Sequence, residues 1–98
     1  MKTMTGSKLW ANAAEYVFET IRYGDLHDMD EKEKNITERV RYSRLIGECA
    51  TTRRQILKRL DGFDVSTEIT AIFGTLSDRN KDQYAKWASY NCQPKAGA

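Results

Sequence analysis

The chain of 98 residues has a single proline, at position 94. Proline breaks helices by removing a backbone donor, so nearly the whole sequence is free to run in long helices. There are two cysteines, Cys49 and Cys92, and one histidine, His27. That is too few for a disulfide framework or for a zinc set of Cys and His. No apolar run approaches the roughly 18 residues of a membrane span. The N-terminus has no apolar segment of signal-peptide length. Without such a leader the sequon Asn35-Ile36-Thr37 carries no weight. These absences predict a cytoplasmic protein with two free thiols and no membrane contact. The six glycines stand apart, at 6, 24, 47, 62, 74 and 97, so no glycine-rich phosphate loop exists. Strand-like alternation is missing as well.

What is present is a globular composition, 40% hydrophobic and 31% charged, in a length that suits one domain. The net charge of +2 conceals blocks. Residues 25–38 hold six acids and two lysines, and residues 39–60 hold seven bases and one acid. Four acids and no base follow in 61–78. Such blocks suit neighbouring elements that pair, or a basic strip offered to an acidic partner.

Apolar spacing predicts an all-α fold, a small bundle of three or four helices with a long central helix, filling residues 1–98 with frayed tails at 1–6 and 93–98. The first helix is expected to start at Ser7 as N-cap and to stop at Gly24. Its core face would be Trp10, Ala13, Ala14, Val17 and Ile21, with Phe18 turned away. Asp25–Asp30 reads as an acidic connector that caps a second helix of about thirty residues. That helix buries Tyr42, Leu45, Ile46, Cys49, Ile56, Leu57 and Leu60, and Gly62 stops it in a left-handed turn. Ile36 and Val40 are rotated out of this stripe. A third element starts at Ser66, and the polar run Leu76–Asp82 favours a break before a last helix capped by Ser77 or Asp78.

No constellation carries catalysis. Cys49 falls on an apolar face, which predicts an inert thiol and makes a pairing with His27 as its base unattractive. In the acidic run around His27, Lys32 occupies a ligand position of a calcium loop, which excludes that motif. No cofactor motif is present, and none is expected. A helix-turn-helix across Ile69–Trp87 fails because Asp78 and Asp82 would meet phosphate.

Binding remains. The expected role is a non-catalytic adaptor, regulator or inhibitor that docks on a macromolecule, most naturally another protein, and that self-associates as a dimer. A core of this size does not cover Phe18, Ile36, Val40, Trp10 and Trp87 together, and of these Phe18, Ile36, Val40 and Trp87 are the expected docking residues. Arg53 joins them, because it falls inside the apolar stripe of the second helix. It predicts either a buried pair with Glu15 or Glu19, or a place at an interface. The competing reading is nucleic-acid binding through Arg41, Arg44, Arg54, Lys58 and Arg59 on the opposite face.

Overall fold

The computed structural model describes residues 4–91. The expected frayed tail at 93–98, and Cys92, lie outside them. Four helices follow in order: α1 (Gly6–Lys32), α2 (Ile36–Arg59), α3 (Ser66–Gly74) and α4 (Asp78–Trp87). A 3-10 turn at Ala88–Asn91 closes the last. There is no strand among the described residues. The expected small helical bundle is therefore what forms. α1 touches α2, α3 and α4 and is its spine.

The sequence misplaces the first chain reversal. Gly24 does not end α1, which runs on through the acidic segment to Lys32. Asp25–Asp30 is helical, and Leu26 within it is buried against α2. The reversal comes at residues 33–35, where side chains replace the helical bonds. The Glu33 carboxylate accepts from the amides of Lys34 and Asn35 at 3.1 and 3.0 Å. Asn35 then caps α2 by accepting from the Glu38 amide at 3.2 Å. At the other end Thr5, not Ser7, caps α1 and accepts from the Lys8 amide.

The later punctuation is as expected. Gly62 adopts φ 85° after α2, a conformation open to glycine without strain. Phe63 donates its amide to the Leu60 carbonyl and packs on the core. Asp64 receives the amide and hydroxyl of Ser66, which sets the start of α3. Ser77 accepts from the Asn80 amide and opens α4, so the break between the last two helices is real.

α1 and α2 form a long antiparallel hairpin, about 40 and 36 Å in length. α3 and α4 cover one side of α1. The core divides in two. One cluster holds Ala13, Tyr16, Val17, Ile21, Ile56, Leu60, Val65, Ile72 and Tyr84. The other holds Tyr23, Leu26, Cys49 and Trp87. The buried face of α1 is thus centred on Tyr16, Thr20 and Tyr23, nearer α2 than the stripe through Trp10 implied. Trp10 itself is out of the core, 46% exposed.

Gly24 has a packing role. A Cβ there would come within 2.3 and 2.7 Å of the Trp87 indole. The bare backbone lets α4 seat its tryptophan directly on α1. An ion pair from Arg79 to Asp25 flanks this seat, and Gln83 Nε2 donates hydrogen bonds to Asp25 and Asp28 at 2.9 and 2.8 Å.

Gly24→Ala is expected to lower stability by about 2 kcal/mol, because overpacking outweighs the better helix propensity of alanine. Gly74→Ala, where a Cβ meets open space, should be neutral or slightly stabilising. Urea midpoints at unchanged slope test both.

Candidate functional site

Two of the residues expected at a docking surface lie inside the molecule. Arg53 and Trp87 are buried. The guanidinium of Arg53 stands over the Tyr16 ring at 5.4 Å and the Tyr23 ring at 4.9 Å. Its Nη2 donates to the Tyr16 hydroxyl at 3.3 Å and to the Trp87 carbonyl at 3.4 Å. That carbonyl belongs to the final residue of α4, where the helix dipole favours a cation. The expected partners are engaged elsewhere: Glu15 with Arg59 and Glu19 with Arg22. Arg53 therefore holds α2, α1 and the end of α4 together. Trp87 extends this centre. His27 stacks on its indole at 4.7 Å and 8°, while Tyr23 meets both rings edge-on.

Cys49 sits beside Arg53 on the same face of α2. Its Sγ is 3.0 Å from the Glu19 carboxylate and 3.1 Å from the Glu19 carbonyl. Burial, followed by the hydrogen bond and charge of Glu19, pushes this thiol up to about 12. A thiol so protonated is neither a nucleophile nor a redox sensor at neutral pH.

Phe18, Ile36 and Val40 are where the sequence placed them. Phe18 is 54% exposed, Ile36 78% and Val40 65%. They form two separate patches. On α1, Trp10, Ala14 and Phe18 fall at four-residue steps, with exposed Ala11 beside them, within about 100° of the helix wheel. The Glu15–Arg59 and Glu19–Arg22 ion pairs border this patch. Trp10, on the expected core face but also among the apolar residues that such a core does not cover together, stands on this surface. The competing series Tyr16, Thr20, Tyr23 and His27, at steps of three and four, was the sequence signal that the buried face lay further round. On α2, Ile36 and Val40 line a shallow groove with Asp30, Arg39 and Ser43 at the hairpin tip.

The five basic residues divide. Arg41 pairs with Glu38 at 3.3 Å, and Arg59 lies 3.8 Å from Glu15 and bonds Asn12. Arg44, Arg54 and Lys58 are exposed and have no carboxylate partner among the described residues. Arg54 bonds only the Thr51 hydroxyl, at 3.2 Å. Glu48 interrupts this strip, lining the same shallow depression as Arg44 and Arg54.

Arg53→Lys should destabilise the protein by about 2 kcal/mol, since an ammonium does not stack on two rings and reach both acceptors. Arg53→Ala should cost more, through the void it leaves. Denaturant titration measures each. The raised thiol also fixes a pH dependence. Burial likewise pushes the Tyr84 hydroxyl up to about 12 from the usual 10.0. Groups raised in the folded state stabilise below their unfolded values and lose that contribution as pH climbs through the folded ones. Thermal stability should therefore fall from pH 9 toward 12. In Cys49→Ser the decline between pH 9 and 10 should be shallower, and an identical profile would refute the assignment. No family model matches this chain, and neither the curated proteins nor the solved structures compared with it include a match.

Proposed function

We propose that the protein is a non-catalytic binding protein, an adaptor, regulator or inhibitor, that docks on a protein partner through the outer face of α1. One observation carries this reading. Trp10 and Phe18 stay 46% and 54% exposed on a rigid helix whose opposite face is fully used by the core. Tryptophan and other aromatic side chains are the favoured anchors of protein interfaces. The patch has the matching anatomy, with apolar Ala11 and Ala14 between the rings and ion pairs at the border. Positioning on a helix keeps both anchors in fixed relation, which limits the ordering cost of docking.

The alternative is a nucleic-acid-binding regulatory protein using Arg44, Arg54 and Lys58. Their lack of internal carboxylates favours it. Glu48 among them, and the engagement of Arg41 and Arg59 by carboxylates, weigh against it. Salt sets the two readings apart, because phosphate contacts release counterions and weaken steeply with ionic strength.

Phe18→Asp is expected to leave the helical circular dichroism and the unfolding midpoint within about 0.5 kcal/mol of the parent, as an exposed position should. In affinity capture from a lysate of the source cell, the parent should retain a stoichiometric protein that Phe18→Asp and Trp10→Asp lose. Equal capture by parent and variants would overturn the assignment of this face.

A further inference from the structure

The outer face of α2 carries a pattern that the docking reading does not use. Ile36, Val40, Gly47, Thr51, Arg54 and Lys58 fall within about 60° of one another on the helix wheel, and all are exposed. The strip is polar in sense. It is apolar at the hairpin tip and cationic at the far end. Its middle is small: a Cβ on Gly47 would meet nothing within 4 Å. Beside the apolar end lies the terminus of α1, where Asp30, Glu31 and Glu33 alternate with Lys32 and Lys34. Asp30 shares a groove with Ile36, Val40 and Arg39 and lies 3.6 Å from the Arg39 guanidinium.

We propose that a second copy of the chain docks on this strip, antiparallel, about a twofold axis beside Gly47. Each feature then meets its complement. Ile36 and Val40 of one copy lie against the aliphatic stems of Lys58 and Arg54 of the other. The ammonium and guanidinium heads reach past them to Asp30, Glu31 and Glu33 of that copy. Arg44 falls opposite Ala50 and Ser43 opposite Thr51, so no cation faces its own counterpart. The bare backbone at Gly47 permits close approach where the helices cross. A parallel pairing instead sets Arg44, Arg54 and Lys58 against themselves and brings no cation of the other copy to Glu31 and Glu33, while Asp30 keeps only Arg39 of its own copy. A twofold contact must be self-complementary, and this strip is so only in the antiparallel sense. Each strip is about 36 Å long and 12 Å wide, so a pair brings roughly 900 Å² together before the α1 tip is added, which is the scale of the smaller specific interfaces. The opposed charge blocks of residues 25–38 and 39–60 gain a use that pairing within one copy does not exhaust. The contact lies on α2 and the α1 tip, and stands whether or not the Trp10–Phe18 face takes a partner.

Sedimentation and light scattering on the full chain should show a concentration-dependent dimer. Its dissociation constant should rise about tenfold between roughly 0.05 and 0.5 M salt. The double variants R54E/K58E and D30K/E31K should each be monomeric with parental helicity. Mixed together they should restore the dimer, since the mixed pair is complementary at both ends. A second measurement does not depend on those variants. In a Cys92→Ser background, Gly47→Cys should cross-link to its counterpart under mild oxidation, while Val40→Cys should not. A monomer at millimolar concentration would overturn the proposal. So would a dimer that the charge exchange fails to restore, or one that cross-links through Val40→Cys in place of Gly47→Cys.

Discussion

The fold turns on one buried guanidinium. Arg53 lies between two apolar clusters that would otherwise be separate, one around Tyr16 and Ile56, the other around Tyr23, Cys49 and Trp87. A cation in such a place is tolerated only if its surroundings replace water. Two tyrosine faces, a phenolic oxygen and the last carbonyl of α4 take part in that. Those groups come from α1 and from the end of α4, while Arg53 itself stands on α2. Satisfying Arg53 therefore fixes where α2 lies along α1 and where α4 ends. A hydrophobic residue would fill the space without demanding that register.

The same centre explains Gly24. The Trp87 carbonyl must reach Arg53, and its indole lies between His27, Tyr23 and the α1 backbone. Only a residue without a side chain leaves room for it there. A glycine that resembles a helix stop is instead a packing site, and α1 continues past it because Leu26 and the helix-forming residues after it have a core to face. With the inner faces of α1 and α2 committed to this centre, their outer faces are left to other duties. One carries exposed aromatics, and the other a strip graded from apolar to basic.

Much of this was legible beforehand. Ser77, Ser66 and Gly62 mark their helix ends by side-chain or backbone geometry that neighbours in sequence supply, and Ile36 and Val40 are out of register with the α2 core stripe on any helical wheel. The inward turn of Arg53 follows from periodicity too. Other features were not. Whether α1 ends at Gly24 or runs on to Lys32 depends on burial of Leu26 by α2, which no local window contains. Trp10 and Trp87 exchange roles, one exposed and one buried, because a tryptophan on the edge of an apolar arc goes wherever another helix happens to cover it.

By itself the sequence determined the all-helical character, the helix ends from Gly62 to Ser77, the burial of Cys49 and which residues of α2 face in or out. These rest on interactions a few residues long: caps, left-handed glycine and helical periodicity. Only the tertiary structure decided the partners of Arg53, the seat of Trp87 on Gly24 and the division of the basic residues into paired and unpaired. Those depend on which helix lies beside which. That neighbourhood is set by the joint packing of residues as far apart as Tyr16, Arg53 and Trp87, and by the need to leave no buried charge unsatisfied.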